Sequence, residues 1–117
     1  MAKNAISSGS GLKNTPGHLS IQDILDAISD FYDVKLVDLL SKRRNKSITM
    51  PRQVGMWLAR HHTRYSLEEI GGYFGGRDHT TVMHAIKSVD RKKNTGEQLE
   101  QDLSRLQNRL TITEGEA

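Results

Sequence analysis

Between Gly75 and Lys87 the chain reads GGRDHTTVMHAIK, which gathers an Arg-Asp pair, two histidines and two threonines into thirteen positions. Such residues serve three chemistries: metal ligation, catalysis, and recognition through hydrogen bonds. Spacing speaks against the first. His79 and His84 are five positions apart, so on a helix turning about 100° per residue they diverge by about 140°. Zinc-binding helices place their histidines four apart, as in H-E-x-x-H. His61 and His62 are neighbours and also point apart. The P-loop pattern needs Lys followed by Ser or Thr after its glycines, and GGYFGGRD has neither. Nucleophilic catalysis finds no cysteine, no G-x-S-x-G elbow and nothing that sets a hydroxyl against a base. No metal, catalytic residue or cofactor is expected in this chain.

What remains is a reading surface. On a helix from Asp78 to Lys93, Val82, Ala85, Ile86 and Val89 follow i, i+3, i+4, i+7 order and form the core side. Thr80, His84, Lys87 and Arg91 lie opposite. Asp78 suits the helix cap, and His79, Thr80 and Thr81 complete the first turn. The preceding helix opens on a Ser66–Glu69 capping box and ends at Gly71, Gly72, Gly75 and Gly76. Two helices joined by a short glycine-containing turn make a helix-turn-helix, whose second helix brings its first residues to base edges. Aspartate can accept from the cytosine amino group, and threonine can hydrogen-bond a base or meet the thymine methyl. Histidine can donate or accept. Arg77 suits a phosphate beside the helix start. A polar first turn is also what a plain cap looks like. For Asp78 alone that reading is preferred; for the cluster together with the basic loop upstream, nucleic acid is.

The rest of the chain must hold this helix. With 117 residues it forms one domain, and the absence of cysteine excludes disulfides and thiolate metal sites. No apolar run has the roughly 18 residues of a membrane span, and no signal core opens the chain, so a cytoplasmic location is expected. Net charge is +3, but Ser41 to Leu67 carries seven basic residues and no acid, while the stretch after Glu97 is acid-rich. That asymmetry fits either a polyanion-facing surface or a solvated basic face.

Residues 1–17 read as a flexible linker or appended lead-in, 18–110 as the folded domain and 111–117 as a disordered tail. Ser20 and Asp23 form a capping box before Ile21, Ile24, Leu25 and Ile28, with Leu19 stapled to Ile24. Asp33 is expected to cap a short second helix through Leu40, followed by the basic loop SKRRNKS. A third helix should start near Thr49 with Pro51 in its first turn. There Val54, Trp57, Leu58 and His61 share a face, leaving Arg52, Gln53 and Arg60 clear of the core. A last helix, Glu97 to Leu110, is capped by Thr95 and carries Leu99, Leu103, Leu106 and Leu110 in a stripe that packs back on the bundle in preference to docking on a partner. The fold class is all-α, five or six helices with a helix-turn-helix.

GGRDHTTVMHAI, with LLSKRR, PRQVGMWLAR and SLEEIGGYFGG in order before it, resembles the signature of the C-terminal domain of bacterial chromosomal replication initiators of the DnaA family. The resemblance spans about Leu19 to Lys93 and implies a Trp-repressor-like fold that binds double-stranded DNA at short A/T-rich origin boxes. It implies base contacts in the major groove from Asp78, His79, Thr80 and Thr81, and minor-groove insertion of Arg44. It implies phosphate contacts from Arg52, Gln53, Arg60, Arg77, His84 and the backbone near Leu67 and Glu68. Lys42, Arg43 and Lys87 join them as electrostatic or phosphate partners. Many relatives have Pro at the position of Glu68. Full-length relatives carry an ATPase domain that uses ATP and magnesium; this chain shows none of its motifs and should be a monomer that oligomerises on DNA only through such a domain. A free-standing helix-turn-helix transcription regulator is the alternative.

Overall fold

The computed structural model describes residues 19–115, with side chains to residue 110. The expected linker at 1–17 lies outside the described residues. Six helices follow in order: α1 Ile21–Tyr32, α2 Leu36–Leu39, α3 Lys46–His62, α4 Leu67–Tyr73, α5 His79–Thr95 and α6 Glu97–Gly115. The central helix, α3, packs against α1, α2, α4 and α5, and α6 lies across α1 and α5. Ile24, Ile28, Leu39, Val54, Leu58, Ile70, Phe74, Val82, Val89 and Leu106 are fully buried. Each such side chain contributes about 1.5–3 kcal/mol by leaving water.

The capping boxes form. Ser20 Oγ accepts from the Asp23 amide at 3.1 Å and Asp23 Oδ2 accepts from the Ser20 amide at 3.2 Å. Ser66 and Glu69 do the same at the head of α4. Local rules fail where tertiary contacts intervene. Asp33 does not cap α2; it ends α1 in the left-handed region (φ 54°) with its N–H on the Ser29 carbonyl, and Lys35 leads α2 without a side-chain cap. Helix α3 begins at Lys46 rather than near Thr49, so Pro51 is its sixth residue and lies buried. Proline has no N–H to offer the Ser47 carbonyl one turn back. Gly71 and Gly72 lie inside α4 rather than ending it.

Thr95 does not cap α6. It closes α5, with its hydroxyl 3.4 Å from the Arg91 and Lys92 carbonyls, and Gly96 separates the two helices. Helix α6 continues past Leu110, where the sequence suggests an end, to Gly115. Its stripe of Leu99, Leu103, Leu106 and Leu110 is buried in the bundle. Trp57 sits between α3 and α5: its indole N–H donates to Asp90 Oδ1 at 2.8 Å, and Lys93 Nζ lies 5.2 Å from the ring centre. His61 shares that face but is exposed, its ring 4.1 Å from Trp57.

Candidate nucleic-acid interface

Helix α4 and helix α5 are joined by a turn in which Gly75 (φ 86°) and Gly76 (φ 76°) take the left-handed conformation. The turn returns onto α4, with the Arg77 amide donating to the Gly71 carbonyl at 2.9 Å. A Cβ on Gly71 would stand 2.0 Å from the Arg77 carbonyl oxygen, so only glycine permits this approach. Two loosely joined helices become a helix-turn-helix of fixed angle.

Asp78 caps α5, its Oδ1 accepting from the Thr81 amide at 2.9 Å. The bonds from Thr81, backbone first and hydroxyl second, hold the Asp78 carboxyl below its ordinary range, with His79 adding to the effect. Asp78 is therefore an anion and an acceptor at neutral pH. His79, Thr80, Thr81, His84 and Lys87 are exposed along the outer side of α5, opposite the buried Val82, Ala85 and Val89.

Between this helix, α3 and the loop after α2 runs a cleft of about 680 Å³. Its walls repeat helical spacing: Thr49, Arg52, Gln53 and Met56 on α3, and Thr81, His84, Ser88 and Arg91 on α5. Lys42 and Arg44 supply the loop side, and Gly75, Gly76 and Arg77 the turn. Five of these residues are cationic and none is acidic. Among the described residues no ion pair joins a cleft cation to a carboxylate; Arg109 and Asp30, paired at 2.9 Å, lie elsewhere. The guanidiniums crowd one another. Burial first and Arg77 second pull Arg52 below its usual value, and burial and then Arg44 do the same to Arg77. A polyanion in the cleft relieves that repulsion.

The residues singled out in the sequence do not all fall in one place. Lys42, Arg44, Gln53, Arg77, Thr81 and His84 meet in the cleft. Asp78, His79, Thr80 and Lys87 continue its α5 side, while Arg43 and Arg60 are exposed beyond its lining. At the head of α4, Leu67 is half-buried and Glu68 exposed. Arg52 corrects the expectation that it stands clear of the core: it is 5% exposed. Its Nε donates to the Leu39 carbonyl at 2.9 Å, Nη1 to Arg43 at 2.9 Å, and Nη2 to Asp38 at 3.0 Å and Ser41 at 3.1 Å. Arginine has five N–H donors, so four are committed to the protein's own backbone. Arg77 is half committed, with Nη1 on the Phe74 carbonyl and Nη2 on Ser41 at 2.7 Å.

Thr49 and Ser88 are new to the site, whereas Arg91 already stood on the outer face of α5 in the sequence, without an assigned contact. The signal for Ser88 and Arg91 was present, because they continue the Thr81–His84 side of α5 at helical spacing. Thr49 had no such signal. Its Oγ1 is buried without a hydrogen-bond partner in the cleft wall. No group of three or more His, Cys, Asp or Glu that could hold a metal occurs among the described residues. No helix there is long and apolar enough to cross a membrane.

Residues 21–89 match the family model described as the bacterial dnaA protein helix-turn-helix. The chain is 48% identical over 92 residues to the chromosomal replication initiator protein DnaA of Caulobacter sp. (strain K31), covering 79% of this chain and 19% of that protein. It is 42% identical over 112 residues to the corresponding protein of Leptothrix cholodnii, covering 94% of this chain and 21% of the relative. A crystal structure of a DNA replication initiation factor superposes with a TM-score of 0.71 at 33% identity, over 80% of this chain and 28% of that one. The chain thus spans about a fifth of the length of these curated relatives. With the family model covering α1 through most of α5, the chain belongs to the bacterial DnaA helix-turn-helix family.

Proposed function

We propose that this domain binds double-stranded DNA in a sequence-specific manner and serves as the origin-recognition module of a replication initiator, reading short A/T-rich boxes. The observation that carries the reading is the acid-free cationic cleft opening beside the exposed first turn of α5. The first turn enters the major groove. Asp78 keeps one carboxylate oxygen on the helix cap and offers the other to a cytosine amino group, while His79, Thr80 and Thr81 read neighbouring edges. Arg44, on the loop across the cleft, enters the adjacent minor groove, where A/T-rich narrowing deepens the negative potential. The phosphodiester strand between the two grooves runs through the cleft.

Lys42, Gln53, Arg77 and His84 contact that strand from the walls, together with Ser88 and Arg91. Arg43, Arg60, Lys87 and the backbone at Leu67 and Glu68 hold phosphates on either side. Each neutralised phosphate releases counterions, so binding weakens steeply with salt. Selection of bound duplexes from a random pool defines the box. Thr80→Ala should then cost about 1–3 kcal/mol on that box and little on scrambled duplex. Equal losses on both would remove Thr80 from base reading, and no duplex binding at low salt would end the proposal.

A further inference from the structure

The two reading elements are not independent. Arg52 donates to the Arg43 carbonyl, the residue immediately before Arg44, at 2.9 Å. The same guanidinium reaches the Ser41 carbonyl at 3.1 Å. Arg77, the residue immediately before Asp78, donates to that same Ser41 carbonyl at 2.7 Å, across 36 positions of sequence. One oxygen thereby joins two guanidiniums, and an unbroken chain of bonds runs from Arg44 to Asp78. A second contact presses the same parts together: a Cβ on Gly75 would lie 2.3 Å from the Leu40 carbonyl oxygen. The loop's own amides are pinned locally, Ser41 to the Asp38 carbonyl at 3.1 Å and Arg43 to Ser41 Oγ at 3.2 Å.

We propose that Arg52 and Arg77, joined through the Ser41 carbonyl, act as positioning residues that fix the distance between the basic loop and the first turn of α5. The protein then accepts only duplexes in which the minor-groove and major-groove elements stand at one separation. This rests on the reading above that Arg44 and Asp78–Thr81 occupy adjacent grooves. Lysine cannot replace either arginine in this role. Its three donors on a single nitrogen lack the planar fork that spans carbonyls on separate segments, although it keeps the charge that a phosphate sees.

The experiment compares Arg77→Lys, Arg52→Lys and Gly75→Ala with the unaltered protein on the selected box and on duplexes with one base pair inserted or deleted between the A/T-rich segment and the major-groove segment. Amide exchange at Ser41 and Arg43 is followed in the free proteins. The unaltered protein should lose on the order of tenfold or more on either shift, as for a mismatched site. The variants should bind the native box more weakly, lose only about threefold on the shifted duplexes, and exchange faster at Ser41 and Arg43. An undiminished spacing penalty in variants with unchanged exchange would overturn the proposal, and would leave Arg77 a phosphate contact alone. If Arg52→Lys does not fold, Arg77→Lys and Gly75→Ala decide the matter. Arg44→Ala tests the underlying reading separately. If it spares discrimination of A/T-rich boxes, the groove assignment fails and the spacing rule with it, while faster exchange would still register the clamp within the free protein.

Discussion

The face that holds the cleft and the face built from α1 and α6 treat charge in opposite ways. On the α1–α6 side polar groups satisfy one another: Tyr32 donates to Asp102 at 3.1 Å, Arg109 to Asp30 at 2.9 Å, and His62 meets Gln107 at 2.9 Å. Beneath them lies the leucine stripe. On the cleft side five cations gather with no carboxylate, and the two most enclosed arginines bond to backbone carbonyls. The first face is finished by the chain itself. The second is left electrostatically incomplete, and its inner arginines keep its parts in register. Arginine count alone does not separate these roles; the acceptors do.

The largest effect that sharpens this contrast is on the finished face. Leu106 is fully buried, so Leu106→Ala should cost about 2–5 kcal/mol of stability by denaturant unfolding. Below its melting range the variant should discriminate boxes as before; altered discrimination would mean that α6 shapes the cleft. Next comes Arg60→Ala on the cleft side. It should weaken all duplexes alike and reduce the slope of log K against log salt by about one. A loss confined to the selected box would instead make Arg60 a base reader.

A pH effect follows from Tyr32. Burial first, then the charge of Asp102 and its hydrogen bond, push the phenol well above its ordinary value. A group whose folded value is raised stabilises the fold below its unfolded value, near about 10, and loses that contribution as pH rises toward the folded value. The unaltered protein should therefore lose thermal stability above about pH 10 more steeply than Tyr32→Phe. Parallel curves would show that the phenol is not the titrating group. The smallest effect belongs to Arg109→Ala, an exposed pair that should change stability by no more than about 1 kcal/mol.

Much of the fold was legible because it rests on local chemistry. The two Ser-led capping boxes, the Asp78 cap and the leucine stripe need only residues three or four apart. The first turn of α5 stood out for the same reason. What could not be read depended on distant chain. Charged residues are rarely buried without partners, and the four carbonyls that satisfy Arg52 come from 38–43, brought back only when α2 docks on α3. Pro51 looked like a first-turn residue because helix rules place it there; it lies instead buried inside a helix that starts three residues further back, at Lys46. Gly71 resembles a helix terminator in the sequence, but it lies within α4 and its missing side chain admits the Arg77 carbonyl. Thr95 could serve either neighbouring helix, and the Gly96 break assigned it to α5.

Trp57 is the only tryptophan in the chain. Its indole is anchored to Asp90 and overlaid by Lys93, both on α5, and it does not line the cleft. Its emission is thus a built-in gauge of the α3–α5 seam. Unfolding should shift that emission strongly, whereas a duplex seated in the cleft never touches the fluorophore. A spectral change on adding DNA would consequently signal that the two helices move against each other, and a silent titration would mark the recognition framework as rigid.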